Sequence, residues 1–187
     1  MAEQGFDNNG KSVYPARYIE DWTCRDGRLV ILRPICQGDK LLEKEFIEHL
    51  SVESSRFRFF NRIAEATPEM LTQFCNIDYV HEMAIIAEYN SGDEKRNVGV
   101  GRLIIEPDTG SGELAIVVAD DFQANGLGTK LLNILIDIGR ERELKSIYGI
   151  VMQDNWKMIR LAKKLGFTTE TSLDREVKVI RELWLSD

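Results

Sequence analysis

The sequence predicts an α/β domain built around one strand–turn–helix unit, and two observations predict it. First, Gly112 to Lys130 reads GELAIVVADDFQANGLGTK, an unbroken apolar run from Leu114 to Ala119 followed by a Gly-rich turn. The run is rich in Val and Ile and suits a strand covered on both faces. Beyond the turn, apolar residues at 127, 131, 134, 135 and 138 have helical spacing. Second, the remaining segments order themselves as a strand, two or three helices, three strands, then helix, strand, helix, strand. No repeat, low-complexity tract or internal linker interrupts them, so the reading is one domain with an N-terminal arm.

Each element has its own local signal. Residues 1–12 are polar and rich in Gly and Asn, a composition expected to be disordered. YPARYIEDWTCRDG reads as an extended arm closed by a turn at Asp26-Gly27. Arg28 to Arg33 is a first strand, stopped by Pro34. Gly38-Asp39 offers a helix N-cap for KLLEKEFIEHL, whose apolar residues at 41, 42, 46, 47 and 50 share a face. Ser51 caps a second helix over SVESSRFRFF, and Thr67-Pro68-Glu69 opens a third, with Thr67 as cap and Pro68 at its first position. MAIIAEY (83–89) and VGVGRLIIE (98–106) make a hairpin with a long polar loop. After the long helix, SIYGIVM (146–152) is a strand, and NWKMIRLAKKLGF (155–167) is a helix closed by Gly166. EVKVIRELWL (176–185) alternates Val177, Val179 and Leu183 with charge and ends the chain as a strand.

Composition narrows the function classes. A chain of 187 residues suffices for one domain that buries roughly 70% of its unfolded surface. A net charge of −7 without a basic stripe argues against a nucleic-acid binder and tolerates a basic substrate. Cys24, Cys36 and Cys75 are odd in number and far apart, which reads as reduced thiols in a cytoplasmic protein. His49 and His81 have no ligand-spaced neighbours, so no metal is expected. No apolar run reaches the length of a membrane span, and MAEQGFDNNGK lacks the apolar core of a signal peptide.

The Gly-rich turn points to a phosphate. At a helix start several backbone N–H groups converge, with the helix dipole behind them, and together they hold an anion. The turn lacks the Lys-Ser/Thr pair of a P-loop and the third Gly of a dinucleotide fingerprint. What it does contain is Gln123-x-x-Gly126-x-Gly128.

That pattern, between a strand and a helix, resembles the acyl-CoA pyrophosphate loop of the GNAT acetyltransferases. With the helix from Asn155 to Gly166-Phe167, the resemblance runs from about residue 28 to the end. It implies a GNAT fold, with a mixed, mostly antiparallel central sheet flanked by helices and a splayed central strand pair at the acyl-CoA site. On this division residues 1–27 are tail and arm, and residues 28–187 are the acetyltransferase domain. One branch is closer. Tyr14-Pro15, the strand ending Leu32-Arg33-Pro34-Ile35, Arg58-Phe59-Phe60, and Ile77-Asp78-Tyr79 ahead of Glu82-Met83-Ala84 look like the bacterial Pat-type protein lysine acetyltransferases. Larger members join this domain to an acyl-CoA synthetase-like region or a cyclic-nucleotide domain, and neither is read in these 187 residues. The branch implies acetyl-CoA as cosubstrate and a protein acceptor such as an acyl-CoA synthetase.

The resemblance also assigns roles. Ile116, Val117 and Val118 would lie along the pantetheine arm, contacting it through backbone. Gln123, Ala124, Asn125, Gly126, Leu127, Gly128 and Thr129 would bind the pyrophosphate, with Lys130 as an added charge. Glu113, at the start of an apolar strand, is the candidate general base. A carboxylate partly desolvated there would have a raised pKa, whereas the alternative is a solvated turn charge, as Glu106 is read. Asn155 is an N-cap, a pantetheine contact, or both. Many GNAT enzymes carry a Tyr seven residues after this Asn to protonate the departing thiolate. Here that residue is Ala162, so no dedicated general acid is implied. Lys163 and Lys164 are read as solvated charge or as contacts to the 3′-phosphate. Arg56 to Phe60 either packs its aromatics into the core or lines an acceptor groove. Two other functions fit the same scaffold: a small-molecule amine acetyltransferase, and an acyl-CoA-sensing module without turnover.

Overall fold

The computed structural model describes residues 13–92, 94–171 and 175–183. The polar tail and the last two residues of the final predicted strand lie outside them. Eight strands among the described residues form one sheet: β1 (Glu20–Thr23), β2 (Leu29–Pro34), β3 (Glu82–Ser91), β4 (Glu94–Glu106), β5 (Ser111–Val118), β6 (Ser146–Met152), β7 (Thr168–Thr171) and β8 (Glu176–Glu182). Their order is β1-β2-β3-β4-β5-β6-β8-β7. Every neighbouring pair is antiparallel except β5 and β6, which run parallel because a helical crossover joins them. This is the mixed, mostly antiparallel sheet expected.

The helices are α1 (Lys40–His49), α2 (Val52–Phe59), α3 (Pro68–Cys75), α4 (Leu127–Glu141) and α5 (Trp156–Lys164). α4 is the crossover, and its Leu131 and Leu135 lie over Gly101 of β4. Arg102, the next residue of β4, points to the opposite face and donates to the Phe74 carbonyl of α3. The core therefore has two layers, one on each side of the sheet. Thr67 caps α3 through Met70 N–H, with Pro68 at the first position, and Ser51 caps α2 through Ser54 N–H. Gly166 follows α5 at a φ of 80°, the left-handed conformation that ends a helix there.

Several expectations need correction. β3 and β4 run on to Ser91 and from Glu94, so the polar segment between them is mostly strand instead of a long loop. Asp39 does not cap α1 with its side chain, because Arg33 takes both its oxygens. β1, inside the segment read as an extended arm, is the edge strand beside β2. β7 was not expected at all. Finally, β5 is not covered on both faces: Ala115, Ile116 and Val118 are only half-buried, since one side of the strand opens into a cavity.

Candidate active site

The site begins where β5 and β6 part. They pair only at Ser111–Ser146, Gly112–Ile147 and Glu113–Tyr148. At the next position a Cβ on Gly149 would stand 3.0 Å from the Leu114 carbonyl oxygen, so only glycine lets the strands stay this close as they separate. Beyond that point the edge of β5 facing β6 has no strand partner, although its other edge stays paired to β4 as far as Val118. A buried backbone edge needs partners, and an extended amide-bearing ligand supplies them.

At the far end of β5 the chain turns into α4. Gly126 is the N-cap of α4, at a φ of 92° and without a side-chain cap. The amides of Leu127, Gly128 and Thr129 therefore have no intrahelical acceptor, because the first helical bond runs from Lys130 N–H to the Gly126 carbonyl. A Cβ on Gly126 would meet the Trp22 ring at 3.3 Å and Arg25 Nε at 3.6 Å. Arg25 N–H also donates to the Asn125 carbonyl. The β1–β2 hairpin thus leans on the loop and brings a guanidinium to it. Sequence reasoning missed Arg25 and Trp22, since nothing near them in the chain signals a contact with residue 126.

The third wall is α2. Asp120 accepts hydrogen bonds from the amide and hydroxyl of Ser51 and from the Ser54 hydroxyl. Gln123 joins this network by donating to Ser54 Oγ and to the Val118 carbonyl. Its side chain braces the loop against α2, so what Gln123 offers a phosphate is backbone. Burial alone would raise the Asp120 carboxyl, but the hydrogen bonds from Ser51 and Ser54 outweigh it and hold it low. With its N-terminus pinned here, α2 runs back along β5 and places Arg58 at the Glu113 end.

Between these walls lies a cavity of about 450 Å³. Of the residues singled out in the sequence, Glu113, Ile116, Val117, Val118, Gln123, Ala124, Gly126, Gly128, Thr129 and Asn155 line it. Leu127 does not, being fully buried in the core, and Asn125 is engaged through its carbonyl with Arg25. Glu113 is exposed at the mouth, so the expected partial desolvation is absent. Its neighbour across the parallel pair, Tyr148, donates to Glu106, which is accordingly not a free turn charge. Burial first, and then the Glu106 carboxylate, push the Tyr148 phenol above its ordinary pKa.

α5 closes the other side. Asn155 Oδ1 accepts from Met158 N–H, the N-cap role, while the residue also borders the cavity. Ala162 is fully buried in the core. Lys164 and Lys157 reach the cavity, whereas Lys130 is paired with Glu20 at 2.8 Å. The segment from Arg56 to Phe60 divides. Phe59 packs on the core and stacks against Phe74, Arg56 pairs with Asp154, and Phe57, Arg58 and Phe60 line the cavity. Among the described residues no cluster of three or more His, Cys, Asp or Glu is arranged to hold a metal.

A splayed parallel pair beside an uncapped, glycine-turned helix start is the arrangement the loop pattern implied. The model of the acetyltransferase (GNAT) family matches residues 47–167. The chain belongs to that family. It transfers an acetyl group from acetyl-CoA to an amine. Compared with an acetyltransferase of Pseudomonas aeruginosa it is 36% identical over 160 residues, covering 86% of each chain. The solved GNAT domain of S. lividans PAT superposes with a TM-score of 0.82 at 27% identity, over 91% of this chain and 99% of that one. The Vibrio cholerae spermidine N-acetyltransferase, solved with CoA and spermine, shares the fold at a TM-score of 0.65 and 22% identity, over 81% of this chain and 93% of that one. Among the described residues no helix is long and apolar enough to cross a membrane.

Proposed function

We propose that this GNAT acetyltransferase acts on lysine side chains of proteins, by direct transfer from acetyl-CoA, with Glu113 as general base. The observation that carries the reading is the position of Glu113, exposed at the acceptor end of a cavity whose other end is the glycine turn before α4. An amine entering at that end meets a carboxylate first.

Acetyl-CoA supplies the thioester, and the residues supply positioning and a route for the proton. The amides of Leu127, Gly128 and Thr129 face the pyrophosphate, and Arg25 adds the positive charge that Gln123 lacks. The free edge of β5 at Ile116, Val117 and Val118 pairs with the amides of the pantetheine arm, and one of its N–H groups polarises the thioester carbonyl. Asn155 caps α5 and borders the same arm. Glu113 accepts the proton that the lysine ammonium must lose before it can attack. The carbonyl carbon then gains the amine and releases the thiolate. With Ala162 in the core, water relays the proton shed by the new amide nitrogen to the thiolate.

Likeness to the GNAT domain of S. lividans PAT supports a protein acceptor, as does a mouth wide enough to expose Glu113. The test offers acetyl-CoA with a purified acyl-CoA synthetase, spermidine and an aminoglycoside in parallel, and reads kcat/KM and the acetylated lysines by mass spectrometry. Protein lysine should be acetylated far better than either small amine. A panel in which spermidine or the aminoglycoside wins makes the protein a small-amine acetyltransferase instead.

A further inference from the structure

Arg58 is set apart from the other buried and half-buried arginines of this fold. Arg33 is held by Asp39 and Glu88, Arg102 by Glu82 and the Phe74 carbonyl, and Arg142 by the carbonyls of Tyr79 and Val80. Arg56, one turn earlier in α2, has Asp154. Arg58 has no such partner. No described residue accepts a hydrogen bond from it or forms an ion pair with it, and its guanidinium lies 5.0 Å from the centre of the Phe59 ring. Its five donors therefore have no protein acceptor among the described residues and open onto the cavity that Arg58 lines.

The electrostatics agree. Burial, followed by repulsion from Arg102, brings the Arg58 pKa down to about 10, with Glu43 and Glu113 only partly opposing them. It remains a cation at neutral pH. Glu43 is committed to Asn97, and Glu113 is needed free as the base. The other acid lining the cavity, Glu53, lies near the N-terminus of α2, roughly 7 Å along the helix from Arg58 at 1.5 Å per residue. The acceptor end therefore presents one carboxylate and one unanswered cation, with the apolar faces of Phe57 and Phe60 beside them.

We propose that the acceptor carries a carboxylate close to its reactive amine, and that Arg58 is the residue that selects it. In this arrangement Glu113 receives the amine, the phenylalanines flank the methylenes between, and the planar guanidinium takes the carboxylate through paired hydrogen bonds. The inference rests on the acetyltransferase reading above and specifies its acceptor. A polycation such as a polyamine would bring like charge to Arg58. The carboxylate could come from an acidic residue beside a protein lysine or from a free amino acid, and the test separates the two.

Two pairs of acceptors differ only in that charge: lysine peptides flanked by Asp or by Asn, and 6-aminohexanoate or 6-aminohexanamide. Acetyl transfer is measured as kcat/KM for each. Binding of 6-aminohexanoate and of its amide to the CoA-bound protein is measured by calorimetry. The wild-type protein should favour the carboxylate member of at least one pair by about tenfold or more in kcat/KM, and the preferred pair identifies the source. Calorimetry should show the same preference for 6-aminohexanoate over its amide. Arg58→Gln should bring these ratios close to one, while Arg58→Lys, which keeps the charge, should retain part of the preference. A carboxylate preference in binding with no transfer to any acceptor would overturn the activity reading and leave Arg58 as the selector. Equal binding and equal transfer within each pair in the wild-type protein would overturn the role of Arg58 without need of any variant. So would a preference that survives in Arg58→Gln.

Discussion

Two arginines of this molecule, Arg33 and Arg58, are half-buried, and their surroundings could hardly differ more. Arg33, on β2, is answered on every side: Asp39 at 2.6 Å and Glu88 at 2.8 Å, with Lys95 balancing Glu88 at 2.9 Å. Arg58, on α2, lines a cavity and forms no hydrogen bond or ion pair with any described residue. The first cluster has its charges cancelled and its donors used, as a structural ion network must. The second keeps a cation and the carboxylate of Glu113 unpaired in an open space, an arrangement suited to a ligand that completes it. Substitutions at the two places should therefore fail in different ways.

The largest effect is expected at the cavity end opposite Arg58. Gly126→Asp sets a carboxylate at the proposed pyrophosphate site, in a backbone conformation and against a Trp22 ring that admit no side chain easily. Acetyl-CoA stabilises the folded wild-type protein by mass action, and in this variant the rise in melting temperature should vanish. The free protein should be destabilised as well, by roughly 1–2 kcal/mol, because a residue other than glycine is strained at this left-handed φ, so the ligand-induced rise is read against each protein's own free melting temperature. A variant that still binds acetyl-CoA would assign the phosphate elsewhere.

Arg33→Met should do the reverse, sparing acetyl-CoA binding while destabilising the fold by roughly 3–5 kcal/mol, the usual cost of stranding a buried partner. Its pH dependence adds a check. Burial would raise both Asp39 and Glu88, yet hydrogen bonds leave both below their ordinary values, from Arg33 and the Cys36 amide at Asp39 and from Lys95 and then Arg33 at Glu88. Groups depressed in the folded state stabilise it above the unfolded carboxylate pKa of about 4, and that stability is lost as pH falls through the folded values. Urea melts at neutral pH and near pH 3 should show the wild-type protein losing this contribution and the variant having little of it to lose. Equal acid sensitivity would mean the network contributes nothing.

The same contrast explains what the sequence disclosed. β5, the turn and α4 were legible because an apolar run, glycines and a helical stripe are adjacent signals with one consistent reading. Thr67, Ser51 and Gly166 were legible as helix boundaries for the same local reason. What escaped depends on distant partners. Asp39 looks like a cap until Arg33 is seen beside it, and Lys130 looks like a phosphate ligand until Glu20 takes it. Thr168 to Thr171 is a short, mostly exposed edge strand with no apolar alternation to betray it. Glu113 stood out as a lone carboxylate at the start of an apolar strand, but its exposure was not foreseen, because Leu114 beside it is buried on the other face as the strand alternates. Arg58 stood in a motif of charge and aromatic residues that left core and groove both open, and its isolation became visible only when its neighbours were in place.

Glu113 itself decides the account. Glu113→Gln keeps the shape of the cavity mouth and removes the proposed base, so acetyl-CoA affinity measured by calorimetry should be unchanged while kcat/KM for a lysine acceptor falls about 10²–10⁴-fold. Profiles of both proteins against pH should converge as the pH climbs toward the lysine reference value of about 10.4, where the acceptor no longer needs deprotonation. Near-wild-type turnover with intact acetyl-CoA binding would contradict a catalytic Glu113, and loss of acetyl-CoA binding with turnover would make it a structural residue.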